Sequence, residues 1–201
     1  MMNIKIIKDK EELNTVAPCE IGHLLWGTSS IPRTYFYIGF VPGDGFYVRM
    51  VCEERDPRRI YESYLDPVYR DSAMEAFLLF PQKGEPTGTY LNFEVNANGA
   101  LLAAYGPSRT YRSYFSSEDA ARFQTRAVIE EDRWSASFHI PLSVLERIYG
   151  PVKLEKGSTF YCNFYKISEA ADIEHYAAYA PITSPVPSFH MPEYFAEAVL
   201  V

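Results

Sequence analysis

From Thr34 the chain reads TYFYIGF, turns through residues 41–45 (VPGDG) and continues as FYVRMV, with apolar positions alternating along both arms. Successive side chains on a strand point to opposite faces. Phe36, Ile38 and Phe40 therefore share a face with Phe46, Val48 and Met50, while Tyr35, Tyr37, Tyr47 and Arg49 share the other. The pattern predicts a hairpin. A second hairpin is predicted where residues 90–97 (YLNFEVNA) run into Asn98-Gly99, a strong two-residue turn signal, and out through residues 100–105. Between the two hairpins, residues 74–80 (MEAFLLF) read as a buried strand.

Further along, Trp134, Ala136, Phe138 and Ile140 alternate with Ser135, Ser137 and His139, the mark of a half-buried strand. Pro141 sits at the expected first position of a short helix that has Leu142, Leu145 and Ile148 on one side and Gly150 just past its end. A further helical turn is expected from Ser117. Residues 160–167 (FYCNFYKI) form a predicted strand, and residues 197–201 a last one. Strands this frequent, separated only by short helices, predict an all-β protein: an antiparallel β-sandwich with one or two short helices, spanning 1–201 as a single domain. No repeat, low-complexity tract or linker interrupts it.

Composition narrows the function classes. The net charge of −7, with no cluster of Lys and Arg, disfavours a nucleic-acid partner. No segment is long and apolar enough to predict a membrane span. Residues 1–12 (MMNIKIIKDKEE) meet charge too early for an export signal, so the expected location is cytoplasmic, or extracellular if a leader has been removed. Cys19, Cys52 and Cys162 are odd in number and widely spaced, which predicts free thiols rather than a zinc site. Sixteen Tyr and thirteen Phe stand against only two Trp, and Tyr offers both a ring face and a hydroxyl to a polar ligand.

Four segments in order, residues 66–77 (DPVYRDSAMEAF), residues 90–99 (YLNFEVNANG), Trp134 with Ile140-Pro141-Leu142, and residues 163–166 (NFYK), resemble the family 9 carbohydrate-binding modules. The tail, residues 175–179 (HYAAY), residues 187–192 (PSFHMP) and residues 193–195 (EYF), resembles the close of that family's stand-alone branch. The likeness spans roughly residues 30 to 201. It implies an immunoglobulin-like β-sandwich that binds a mono- or oligosaccharide without transforming it. In some members it is joined to xylan-degrading enzymes, and in some it carries structural calcium. The family's modules grip the end of a sugar chain between two Trp rings. Here Trp134 alternates with core residues, leaving Trp26 as one ring, and Tyr179 stands where related tails place Trp.

The alternation places polar groups beside those rings. With Leu91, Phe93 and Val95 inward, Asn92, Glu94 and Asn96 line the opposite face with Tyr90. With Phe160, Cys162 and Phe164 inward, Asn163 and Tyr165 do the same. Two such stripes on one sheet predict a sugar-sized platform whose amides and carboxylates meet vicinal hydroxyls. Glu75 shares a face with Asp71, and is assigned to the sugar, with Asp71 in a structural or calcium role. Arg109 and Arg112 follow the second hairpin within reach of that face, and His175 and His190 lie in the aromatic tail, where they link loops or touch ligand. The expected ligand set is thus Trp26, Glu75, Asn92, Glu94, Asn96, Arg109, Asn163, Tyr165, His175 and Tyr179, with no catalytic group. The competing readings are a glycoside-active enzyme using Asp71, Glu75 or Glu94, a haem-carrying sandwich, and a sandwich that has lost its ligand.

Overall fold

A computed structural model describes residues 1–81 and 88–201. Its strands are β1 (Met2–Ile6), β2 (Cys19–Glu20), β3 (His23–Leu24), β4 (Thr34–Val41), β5 (Gly45–Cys52), β6 (Ala73–Leu79), β7 (Tyr90–Asn96), β8 (Leu101–Gly106), β9 (Ser113–Tyr114), β10 (Arg126–Ile129), β11 (Trp134–Pro141), β12 (Thr159–Ser168), β13 (His175–Ala178) and β14 (Ala196–Leu200). Two short helices, α1 (Ser117–Arg122) and α2 (Leu142–Tyr149), fall where expected. Pro141 closes β11 opposite Gly45 and precedes the helix by one residue rather than opening it.

The predicted hairpins form in the expected register, with Phe36 opposite Met50 in one and Phe93 opposite Ala103 in the other. Gly99 takes a φ of 80° in the tight turn, a conformation open to glycine at little cost. The strands build two layers. One runs β14-β12-β6-β7-β8-β9, with β13 beside β12 and β3 beside β13; the other runs β10-β11-β5-β4, with β2 beside β4. Every pairing within the layers is antiparallel except those of β1, which lies parallel to β14 through Met2–Ile4 and to β4 through Lys5 and Ile6, and so joins the two layers. The opening residues that sequence reading treated only as a leader test thus form a structural corner.

Alternating side chains from both layers meet in the core. Phe36 stacks on Phe164 at 3.6 Å and Phe93 on Phe138 at 5.1 Å, tying one sheet to the other. Trp134 is fully buried among them, its Nε1 donating to Glu54 at 3.0 Å. All three cysteines are free. Among the described residues no helix is long and apolar enough to cross a membrane.

The outer face of the β12-β6-β7 layer is not open to water as a bare sheet. Phe77, Tyr90, Tyr165 and Ile167 on that face form a second apolar cluster with Leu25, Ile182, Phe189 and Phe195 from the segments that cross it. The chain after β13 therefore covers half of the predicted platform, and only the remaining part can receive a ligand.

Candidate functional site

Strand parity brings Glu75 and Glu94 to one place. They are directly opposed on β6 and β7, with side chains on the face away from the core. Both are nearly completely buried. They form the floor of a cleft lined also by Arg109, Arg112, Trp26, Tyr176, Phe189 and His190. Tyr69 and Glu169 complete its edge.

Each wall is positioned by an identifiable local feature. The chain reverses after β8 because position 106 is glycine: a Cβ there would strike the backbone of Tyr111 and lie 2.6 Å from the Arg112 Cα. The reversal returns Arg112 to the sheet, where its guanidinium lies 3.5 Å from the Glu94 carboxylate and donates to the Asn92 side-chain oxygen at 3.3 Å. Asn92 in turn donates to Glu94 at 3.0 Å, so it props both charged groups. Trp26 lies just beyond β3, with a φ of 49° followed by 86° at Gly27. That turn sets the indole 5.4 Å from both Tyr176 and Phe189, and its Nε1 donates to the Ser184 carbonyl at 2.9 Å. A non-glycine residue held in the left-handed region costs on the order of 1 kcal/mol, and such strain collects at ligand sites.

The electrostatics follow from burial. Desolvation pushes the Glu94 carboxyl up to about 7, against the opposing pull of Arg112 and Arg109. Glu75 is pushed well above the ordinary carboxylate range by burial first and by Glu94 second. Glu75 lines the cleft directly beside Glu94. Burial and the two arginines hold His190 down to about 3, hence neutral. The Tyr90 hydroxyl lies 2.7 Å from its Nδ1. Tyr90 is a protonated phenol, pushed upward by burial, so the two neutral groups share one hydrogen bond.

Of the expected ligand set, Trp26, Glu75, Glu94 and Arg109 line this cleft, with Asn92 directly behind them. The others belong elsewhere. Asn96 donates to the Tyr61 carbonyl and to Asp71, fixing a loop. Asn163 is fully buried and holds the Ala180 and Tyr194 carbonyls, because the tail that covers this face uses it as an anchor. Tyr165 is buried one layer below, stacked on Phe189 at 4.0 Å. His175 lies 2.9 Å from Lys166 in a buried network, pushed down to about 4 by burial and by that lysine. Tyr179 packs edge-on against Phe36 at 5.2 Å on the core side, so it cannot form the second ring. The ring beside Trp26 is Tyr176.

Asp71 does not fit the calcium role. Its carboxylate accepts from the backbone N–H groups of Ile60 and Tyr61 and from Asn96 Nδ2, at 2.8 to 2.9 Å, and these donors occupy the oxygens a cation needs. Among the described residues no group of three or more His, Cys, Asp or Glu is arranged to hold a metal. Sequence reading placed Arg112 and His190 near this face but missed Tyr176, Phe189, Tyr69 and Glu169. The only hint of the first two was their place in an aromatic tail.

A family model described as "Carbohydrate-binding family 9" matches residues 5–200. No curated protein matches the chain significantly. Among solved structures, a Bacteroides uniformis ATCC 8492 protein proposed to bind carbohydrate superposes with a TM-score of 0.83 at 21% identity, over 100% of this chain and 98% of that one. A family 9 carbohydrate-binding module from Caldicellulosiruptor kristjanssonii in complex with cellotriose gives a TM-score of 0.67 at 15% identity, over 99% of this chain and 92% of that one. The same organism's module in complex with glucose gives 0.66 at 15% identity, covering 99% and 95%. At these identities the likeness fixes the β-sandwich fold.

Proposed function

The chain belongs to carbohydrate-binding family 9, and from that premise we propose that the cleft beside Trp26 is where it holds a sugar without transforming it. The observation that carries the reading is the juxtaposition of an indole, pinned at Nε1, with the Glu75–Glu94 floor and the Arg109–Arg112 wall. A pyranose has one apolar CH face and a rim of hydroxyls. The indole suits the first, and carboxyl, guanidinium and imidazole groups suit the second.

Trp26 and Tyr176 stand at 73° to each other, so the cleft offers one flat ring and one ring edge rather than two parallel plates. This geometry favours a single terminal sugar unit gripped from one side. Glucose and cellotriose are the first ligands to test, since solved relatives of the same fold are described with them; xylo-oligosaccharides are the second class. A glycosidase places its two carboxyls on either side of the scissile bond. Glu75 and Glu94 instead rise side by side from one floor, which supports holding over hydrolysis.

Isothermal titration calorimetry with glucose, cellotriose and xylotriose tests the reading. Saturable heat from at least one of them, absent in Trp26→Ala, is the expected result. Flat traces across the panel from protein with a wild-type melting transition would remove the proposal.

A further inference from the structure

On the outer face of the other layer lies a second cleft that sugar binding beside Trp26 does not use. The strand register sets a row across its floor. Arg126 on β10 is opposite Ser137 on β11, and Ser137 is opposite Arg49 on β5. Neighbouring strands are about 4.8 Å apart, so two arginines stand roughly 10 Å apart with a hydroxyl between them. Two guanidinium groups at that separation can lean inward onto one small group seated over the serine.

The donors in this row are largely unclaimed. Arg49 is steadied by its stacking 4.4 Å over the Tyr37 ring and by one Nη1 bond to Asn14 at 2.7 Å, while its Nε has no partner. Among the described residues nothing accepts a hydrogen bond from the side chains of Arg126 or Ser137. One row further, His139 stacks on Tyr47 at 4.4 Å and is 6% exposed; its Nε2 lies 3.4 Å from the Asp44 carboxylate, which also accepts from the Tyr47 hydroxyl at 2.6 Å. Lys10 adds a further cation at the rim, 4.0 Å from Glu11. Among the described residues no Asp or Glu lines the cleft itself, with Asp44 and Glu11 standing behind His139 and Lys10, although the chain as a whole carries a net charge of −7. Two arginines around a serine hydroxyl, neither paired with a carboxylate among the described residues, contrast with Arg33, Arg55 and Arg133, which pair with glutamates.

We propose that this row is a binding site for the oxyanion of a small molecule, a carboxylate or a phosphate, clamped by Arg49 and Arg126 with Ser137 donating from below. Guanidinium groups form charge-assisted, bidentate bonds to both anions, and the aromatic Tyr47–His139 pair gives the rest of the ligand a flat surface. The site is independent of the Trp26 cleft.

Amide chemical-shift titration at constant ionic strength, with sodium phosphate, glucuronate and glucose as probes, tests it. Saturable shifts confined to residues 47–49, 126 and 135–139 are expected from phosphate or glucuronate and not from glucose. Response to phosphate alone assigns a phosphate-bearing ligand; response to glucuronate alone assigns a carboxylated sugar. Arg126→Gln, on an exposed edge strand, should weaken the binding about tenfold, and Arg49→Gln at least as much. No saturable response from either anion overturns the proposal. So does equal weakening by Arg55→Gln, a distant exposed control, because the effect would then be one of overall charge.

Discussion

Glu75 and Glu94 occupy directly opposed positions on β6 and β7, two buried carboxyl groups on one face, with the Arg112 guanidinium 3.5 Å from Glu94. Like charges directly across a strand pair repel, and burial removes the water that would soften the repulsion. Arg112 lies closest to Glu94; burial and Glu94 push Glu75 well above the ordinary carboxylate range, while Glu94 rises to about 7. Near neutral pH the pair therefore holds more protons than two ordinary glutamates would, and can both donate and accept.

The pair makes stability depend on pH in a definite direction. In the unfolded chain a glutamate ionises near pH 4.3, whereas Glu94 in the fold ionises at about 7. The folded state therefore holds its proton more tightly, and its contribution is complete below about pH 4.3 and is lost as pH rises through about 7. The slope reaches at most about 1.4 kcal/mol per pH unit. His175 and His190, lowered to about 4 and about 3, tilt the curve the other way below about pH 6.5. The difference between wild type and Glu94→Gln removes that common background. Urea denaturation between about pH 4.5 and 7.5 should show wild type losing ground to Glu94→Gln as pH rises; a constant difference would mean that Glu94 titrates normally.

Trp26 should dominate affinity while contributing little to folding. Its ring is half-buried, and only Nε1 and the contacts to Tyr176 and Phe189 fix it. Trp26→Phe keeps a ring face but releases the Ser184 carbonyl, and should weaken sugar binding roughly tenfold; Trp26→Ala should weaken it beyond that. The stability loss for Ala should stay near 1 to 3 kcal/mol, since the side chain is not fully buried. Calorimetry and thermal melts on the same samples separate the two effects. A variant that loses both together would make Trp26 a packing residue.

Alternation along the strands revealed both hairpins, the core faces and the placing of Asn92, Glu94 and Glu75 on a common outer face. Periodicity reports which face a residue takes, and it is silent on what lies over that face. Asn163 and Tyr165 share the face with Glu75, but the chain from Ile182 to Phe195 settles on their half of the sheet and buries them. Tyr179 failed for a related reason: it follows β13 at the point where its backbone N–H bonds the Phe164 carbonyl, and its ring turns to the core. The true neighbour of Trp26, Tyr176, depends on the two-residue pairing of β3 with β13, too short to leave a periodic signal.

Asp71 should prove a structural brace that needs no cation. Its two oxygens accept from two backbone N–H groups and from Asn96, holding residues 60 and 61 against the sheet, and Arg58 lies 3.8 Å away. Asp71→Ala leaves the buried Asn96 amide unmet, at about 1–3 kcal/mol, and frees the two backbone N–H groups of the loop. A loss of roughly 3 kcal/mol in urea denaturation is expected. Calcium or a chelator should leave the wild-type transition unmoved; a calcium-dependent rise would return Asp71 to the metal role.

Lys166 offers the sharpest test of how the sandwich tolerates charge in its interior. It is fully buried, with Nζ donating to Ser72 at 2.8 Å, lying 2.9 Å from His175 Nε2 and 4.0 Å from the Glu54 carboxylate, which also accepts from Ser72 and Trp134. Burial pulls the ammonium below its usual range, and Glu54 pulls it back. Removing only the cation leaves Glu54 and its hydrogen-bond donors without the charge that balances them. Lys166→Ala should therefore cost about 3–5 kcal/mol. Replacing both charges, Lys166→Met with Glu54→Gln, should recover most of that loss, because a desolvated ion pair contributes little net stability over a well-packed apolar pair. The side chain points away from the Trp26 cleft, so sugar affinity should be unchanged in the double variant. A double variant as unstable as Lys166→Ala would show that the fold requires the charges themselves.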